Sequence, residues 1–486
     1  MEQIIIQGKN FKDKAGRLRI FNGMNMVFKG EVSNKSGIKE YIPSWNDTTF
    51  RWLAENGFNL IRLGIIWDAI EPEPGKYSEN YLDWVDKIIE KCNEYEIYVF
   101  LDMHQDLFSE KYSDGAPGWA TLDDGLAHFK GDLWSDSYLF SDAVKRAFDR
   151  FWANDKLENG EGIQDHYAKM WGMLVRRYAK HKNLIGYDVM NEPFPGSSGL
   201  GVFVTLLTAF AQLTKREMSP EELMEFFANE EEKLKLLAEI DSYELYSAMV
   251  DAARPATAGF EDEILDLFYK KVLREIKSNT IDGAFFLENS YFSNMGIKSR
   301  VKKVDDDRPQ VYSPHGYDLV VDSPAVCIAS NQRVDVIFDN HRKVQEKLDV
   351  PVIVGEWGAH SKYTEGLGHI KHLLGKFDKF KWSHTYWAYF DGIEKAPVMD
   401  ILRRPYPVAV PGEKINYSYD YDCRVFTLEW NCDSKDDEVV VYVPEKPAKV
   451  SVTGDYIFEP LVKGGKSRHI KIMVYNIGEN RMEIIL

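Results

Sequence analysis

LIGYDVMNEP, residues 184–193, sets the reading of this 486-residue chain. An apolar run carries Asn191 and Glu192 at its end and is closed at once by Pro193. Proline cannot donate to a sheet ladder and biases the residue before it towards extended backbone. The expectation is a buried strand from near Leu184 to Glu192 that holds a carboxylate at its terminus. A single acid in that position reads equally as a cap for the following helix or as part of a site.

Seven further short apolar runs have the same character: LRIFNGMNMV (18–27), NLIRLGI (59–65), IYVFLDMH (97–104), GAFFLENSY (283–291), QVYSPHGY (310–317), PVIVGEWG (351–358) and SHTYWAYFD (383–391). Segments with helical spacing of apolar residues, such as YLDWVDKIIEKCNEY (81–95) and DVIFDNHRKVQEKL (335–348), lie between several of them. Eight strands with intervening helices predict an α/β fold, a (β/α)₈ TIM barrel, with the site where the strands' C-terminal ends meet. The Pro-rich RRPYPVAVPGE (403–413) reads as a junction. Beyond it the helical period disappears and short strand-like runs separated by turn residues predict a C-terminal β-sandwich. The expected domains are therefore a barrel over 1–412 and a sandwich over 413–486. Between the fourth and fifth strands, residues 203–282 exceed what one crossover helix needs. SPEEL (219–223) marks a helix start there through its Ser cap and first-turn Glu residues. This helical insertion reads either as a packed elaboration of a barrel helix or as a lid over the mouth.

Bulk properties narrow the function. A formal charge of −17 disfavours nucleic acid and anionic membrane surfaces as partners. Aromatic residues make up 13% of the chain, with 12 Trp and 26 Tyr, which suits stacking on sugar faces or flat aglycones. Cys92, Cys327, Cys423 and Cys432 show no metal-ligand spacing and read as reduced thiols in preference to a Cys423–Cys432 disulfide. MEQIIIQGKNFKDK does not read as a signal peptide, so a cytoplasmic location is expected, and no apolar run approaches the length of an integral membrane segment.

The predicted strand ends carry a chemical set. Arg62 follows the second strand, His104 and Asp106 the third, Asn191 and Glu192 the fourth, His315 and Tyr317 the sixth, Glu356 the seventh and Trp387 the eighth. Two glutamates at opposite strands of one barrel mouth suit glycosidic-bond cleavage, with one carboxyl as acid/base and the other as nucleophile. Glu192 fits the acid/base role, since burial and the Glu356 charge would keep it protonated; Arg62 and the Tyr317 hydroxyl would keep Glu356 ionised as nucleophile. Asn191 is placed to hold a sugar 2-hydroxyl. The rival is a metal site built from His104, Asp106, His315 and Glu356, but no HxH pair follows the first strand and no Lys ends the fourth, so neither metal nor cofactor is expected.

The ordered series Arg62, His104, Asn191–Glu192–Pro193, His315, Tyr317, Glu356 and Trp387 resembles glycoside hydrolase family five. Longer stretches, among them GFNLIRLGIIWDAIEPEPGKY, FLDMHQDLFS, GAPGWAT and RRPYPVAVPG, look like its endoglycoceramidase and glucosylceramidase-related branch. The resemblance implies a retaining enzyme with Glu192 as acid/base and Glu356 as nucleophile. It further implies that His104, Asp106 and Lys29 hold the glucose beside the scissile bond. The substrate implied is a sugar or oligosaccharide β-linked to a hydrophobic aglycone, ceramide first. The alternatives are a cytoplasmic β-glucosidase on steroid, sterol or plant-derived glycosides, and an endo-β-1,4-glucanase.

Overall fold

A computed structural model of the chain describes residues 1–33, 37–280, 282–321, 323–361, 364–412, 414–432, 438–461, 465–473 and 477–486. Eight parallel strands form a barrel: β1 (Asn22–Val27), β2 (Leu60–Ile66), β3 (Tyr98–His104), β4 (Leu184–Asp188), β5 (Ala284–Leu287), β6 (Gln310–Tyr312), β7 (Ile353–Val354) and β8 (Ser383–Tyr386). The hydrogen-bonded order is β6-β5-β4-β3-β2-β1-β8-β7. A Tyr312–Val352 bridge closes the ring, and above it His315–Gly316 pairs in parallel with Glu356–Trp357. β2 and β3 are buried along their whole length. That is why they read as unbroken apolar runs, as strands covered on both faces do.

Three features differ from the expectation. The run 18–27 is not one strand: Leu18–Arg19 pairs with Val410 and Ala409 in a separate sheet, and only Asn22–Val27 enters the barrel. β4 stops at Asp188, before Asn191 and Glu192. The boundary at 412 also moves, because Tyr406–Val410 is already a strand of the second domain, which recruits Ile5–Gln7, Asn10–Lys12 and Leu18–Arg19 from the start of the chain. These pieces are three, three and two residues long, too short to show a period in sequence. Glu413, the last residue of the Pro-rich junction, lies outside the described residues.

The second domain is a sandwich of that seven-stranded sheet and a four-stranded antiparallel sheet, Ile415–Asp420, Val425–Cys432, Gly478–Ile485 and Lys449–Val452. Val425–Cys432 alternates, with Phe426, Leu428, Trp430 and Cys432 turned into the core. The central strands of the seven-stranded sheet, Tyr406–Val410 and Glu438–Val443, are buried on both faces, because the outer face there packs on the barrel. Tyr406 and Tyr442 donate their hydroxyls to the Gly57 and Glu55 carbonyls at 2.7 and 3.1 Å. Gly57 is required there: its φ is +81°, and a Cβ would lie 2.5 Å from the Tyr442 ring. Among the described residues, Cys92, Cys327, Cys423 and Cys432 form no disulfide.

The insertion opens with the Gly199–Leu213 helix, followed by Pro220–Ala228, Glu230–Glu239 and Tyr243–Ala253. Ser219 caps Pro220–Ala228 in a capping box with Glu222, as SPEEL predicts. The barrel helix proper is Asp266–Asn279, which packs on Ile163–Tyr178. The stretch 196–213 is long and apolar enough to cross a membrane by length and composition, with half of it buried inside the protein. Part of that apolar character serves a cavity described below.

At the closed end of the barrel, Phe11 meets Phe21 edge-on with ring centres 5.4 Å apart and joins Leu60, Tyr98, Phe100 and Phe286 in a plug. Phe11 is 4% exposed. Phe11→Ala should therefore cost about 3–5 kcal/mol in stability. Chemical denaturation checks this, with the properties of the opposite face unchanged in the molecules that remain folded.

Candidate active site

The segment after β4 is held by tertiary bonds in place of a ladder. The Val189 carbonyl accepts from Tyr167 and Trp171 at 2.6 and 3.1 Å. The Asn191 amide donates to Met103 at 3.0 Å, and Gln105 Nε2 donates to the Asn191 carbonyl at 2.8 Å. Glu192 lies in the left-handed region with φ +45°, although it precedes a proline. Its peptide N–H donates to Glu288 Oε2 at 2.7 Å. The bend is what turns the Glu192 side chain inward. A non-glycine residue in this region is strained and persists only where surroundings fix it.

Glu356 comes from the upper part of the seventh strand. One of its oxygens, one from Glu192 and a ring nitrogen of His315 all lie within 4.8 Å of one another. His315 Nδ1 is 3.0 Å from Glu192 Oε1 and 3.7 Å from Glu356 Oε2. Asn294 Nδ2 also donates to Glu192 Oε1, at 2.7 Å. Arg62 Nη1 donates to Glu356 Oε1 at 2.6 Å, and the Tyr317 hydroxyl to Oε2 at 3.0 Å. Gly355 leaves room for this, since a Cβ there would sit 2.7 Å from His315 Nε2.

Arg62 is wholly buried and reaches far more than Glu356. It contacts Asp102 and Glu288 through Nη2 at 3.0 and 2.8 Å, Asp188 through Nε at 3.3 Å, and the side-chain oxygens of Asn25 and Asn191 at 3.2 and 2.9 Å. Asn191 Nδ2 donates to the Gln105 carbonyl at 3.0 Å, so its amide is largely engaged within the protein. On the other flank, Lys29 pairs with Asp106 and, at 3.7 Å, with Asp114. His104 bonds Asp102 through Nδ1 at 2.9 Å and stacks on Trp387 with ring centres 5.3 Å apart. The Trp387–Ala388 peptide is cis.

All ten residues singled out from sequence thus meet in one constellation. Lys29, His104, Asp106, Glu192, Tyr317, Glu356 and Trp387 line a cavity of about 420 Å³; Arg62, Asn191 and His315 stand behind that wall. The side of the cavity away from Lys29 and Trp387 is apolar and is contributed largely by the insertion, through Phe203, Leu206, Leu207, Leu237, Ile240 and Met249. The insertion is a wall of the cavity. Sequence reasoning missed Asp102, Asp188, Glu288, Asn25 and Asp114. Asp102 does show a signal, because it shares the face of His104 at a two-residue spacing, and Glu288 ends β5 much as Glu356 ends the seventh strand.

The electrostatics follow from burial and from the two cations. Burial first, and then the Glu356 charge, push the Glu192 carboxyl up to about 7 against the bond from His315. Burial raises Glu356 above the usual carboxylate range, and His315 and Arg62 offset only part of that rise. The guanidinium on Glu356 makes it the carboxyl of the pair that holds the charge. Burial would keep His315 neutral, yet Glu288, Glu356 and Glu192 outweigh it and raise the imidazole well above its usual value. His104 moves the other way, lowered by burial and the Lys29 charge. Asp188 is raised by burial and by Glu288, whereas Glu288 is lowered because His315 and Arg62 overcome its burial. The arrangement offers a proton donor and an ionised nucleophile across one small gap.

Residues 21–220 match the family described as Cellulase (glycosyl hydrolase family 5), and residues 404–479 match the glycoside hydrolase family 5 C-terminal domain. Both matched stretches are thus similar to glycoside hydrolase family 5. The second match begins at the sandwich boundary that the sheet pairing defines. An endoglycoceramidase of Cyanea nozakii is 31% identical over 207 residues, which cover 38% of this chain and 40% of that relative. A glucosylceramidase of Aspergillus fumigatus is 27% identical over 249 residues, 40% of this chain and 33% of the relative. The alignments thus span well under half the length of these relatives. Over the whole chain the fold is that of endo-glycoceramidase II from Rhodococcus sp. in its ganglioside GM3 complex, with a TM-score of 0.73, 24% identity and 99% of each chain covered. Cryptococcus neoformans sterylglucosidase 1 shares the fold at a TM-score of 0.69 and 16% identity, covering 99% of this chain and 97% of that one.

Because the Glu356 charge helps hold the proton on Glu192, Glu356→Gln should lower the Glu192 pKa from about 7. Carboxyl ¹³C NMR of Glu-labelled protein, read across pH, checks the direction; an unmoved or raised value would mean the two groups do not interact as described.

Proposed function

We propose that this protein is a retaining β-glycoside hydrolase that cleaves the β-glucosidic bond between a sugar or oligosaccharide and ceramide. The observation that carries the reading is the placement of the Glu192 and Glu356 carboxyls within 4.8 Å of each other, beside a cavity walled by apolar insertion residues. Retaining glycosidases hold their two carboxyls about 5–5.5 Å apart, whereas inverting ones leave about 6.5–9.5 Å for a water. Glu356, ionised against Arg62, attacks the anomeric carbon. Glu192, pushed up to about 7 and so partly protonated at neutral pH, gives its proton to the departing oxygen. The covalent glycosyl-enzyme is then opened by water, with Glu192 as base. Arg62 and His315 fix the two carboxyls, while Lys29, His104, Asp106 and Trp387 face the sugar.

Although Trp134, Tyr291 and Phe292 also line the cavity, the aliphatic Leu206, Leu207, Leu237 and Ile240 favour a hydrophobic leaving group over a glucan, which needs polar groups on that side. Ceramide is preferred over a sterol because the sequence relatives include endoglycoceramidases and glucosylceramidases, beside an endoglucanase, and because the Rhodococcus enzyme of the same fold is known in a ganglioside complex.

Glu356→Ala should abolish turnover and regain it with azide as external nucleophile, while Glu192→Ala should keep kcat/KM only for glycosides whose leaving group needs no proton. Wild-type rates in Glu356→Ala would refute the assignment. Product masses from glucosylceramide, lactosylceramide, a sterol glucoside and cellotetraose separate the readings; release of ceramide is expected, and turnover of cellotetraose alone would leave a glucanase. Leu207→Ala shortens the apolar wall and should reduce kcat/KM for the ceramide glycoside by about 10-fold, from roughly 1–3 kcal/mol of lost apolar contact. An aryl glycoside with a small aglycone serves as the control and should be unaffected.

A further inference from the structure

Glu288 is buried at the end of β5 and has no part in the chemistry above, yet it touches three members of the site. Its Oε2 accepts the Glu192 peptide N–H at 2.7 Å. Its Oε1 lies 2.8 Å from Arg62 Nη2 and 3.2 Å from His315 Nε2. It is thus bound to the residue that carries the proton, to the ring that contacts that residue's carboxyl, and to the cation that holds the nucleophile.

The contacts have a consequence for where the proton sits. His315 Nε2 makes no hydrogen bond, but the Glu288 carboxylate 3.2 Å away and the Glu192 carboxyl at Nδ1 together favour the imidazolium, in which both nitrogens carry hydrogen. His315 then donates from Nδ1 to Glu192 Oε1, which also accepts from Asn294 Nδ2. With two donors on Oε1, Oε2 is the oxygen left to bear the acidic proton. Were His315 neutral with its hydrogen on Nε2, Nδ1 would become an acceptor. It would then draw the Glu192 proton to Oε1, away from the substrate.

We propose that Glu288 is a positioning residue for the acid step, anchoring the left-handed Glu192 peptide and holding His315 as a donor so that Glu192 presents its proton on Oε2. The inference rests on the retaining-hydrolase reading. In the step concerned, the proton passes from Glu192 Oε2 to the glycosidic oxygen as the C1–O bond to the leaving group breaks and Glu356 forms its bond to C1. Glu288 keeps its protonation state and touches no substrate.

The test compares kcat/KM on lactosylceramide and on 2,4-dinitrophenyl β-lactoside, whose leaving group departs without a proton, for wild type, Glu288→Gln and Glu288→Asp. Glu288→Gln keeps an acceptor but not the charge. It should lower kcat/KM on lactosylceramide by about 100-fold, within the range general-acid catalysis supplies, and change the dinitrophenyl substrate by less than about threefold. Glu288→Asp retains the charge and should recover at least about tenfold of the loss. Equal losses on both substrates, or failure of both variants to yield folded protein, would overturn the proposal and leave Glu288 a structural residue. A wild type that cleaves neither lactoside would instead defeat the functional reading on which the proposal stands.

Discussion

The buried guanidinium of Arg62 is the interaction on which the rest of the barrel mouth depends. It sits among Asp102, Asp188, Glu288 and Glu356 with no exposure to solvent. Four acids around one arginine cannot all be ionised at low dielectric, and the directions of their shifts show how the charge is shared. Asp188 is pushed towards its neutral form, Asp102 rises to about 7, and Glu288 stays ionised against His315 and Arg62. Removing one partner of such a buried pair costs about 3–5 kcal/mol because the other is left uncompensated. The network therefore fixes the protonation pattern as well as the positions of the two carboxyls above it.

The insertion and the sandwich build on this frame in different ways. The insertion gives the cavity its apolar side, which sets which leaving groups fit without touching the reacting atoms. The sandwich stays away from the mouth and covers an outer face of the barrel, where Tyr406 and Tyr442 close over Gly57.

Much of this was legible in the sequence because the barrel strands are covered on both faces. β2 and β3 appear as NLIRLGI and IYVFLDMH; His104 ends β3 as expected, whereas Arg62 lies within β2 and not after it, reaching the site through its length. Proline chemistry misled at one place. It predicts an extended Glu192, but the bonds from Met103, Gln105 and Glu288 override the local preference and impose φ +45°. The acids beneath the site were missed because a buried Asp or Glu has no sequence period of its own. Asp188 and Glu288 become meaningful only once Arg62 is known to lie between them. The early strands were missed for a simpler reason: LRIFNGMNMV reads as one run, and the handover between two sheets at Ile20 and Phe21 leaves no mark in composition.

That handover has a temporal side. Arg19 bonds the Val408 carbonyl across a separation of 389 residues. At ribosomal speeds of about 5–20 residues per second, the early strands wait on the order of 20–80 s for their partners. The seven-stranded sheet is therefore completed only after the last barrel strand has emerged, and its assembly clasps the first residues of the polypeptide to a barrel already made. Removing the late strands to obtain a lone barrel would leave Leu18 and Arg19 without their partners Val410 and Ala409, so the two domains are a single unit of biosynthesis even though their sheets are separate.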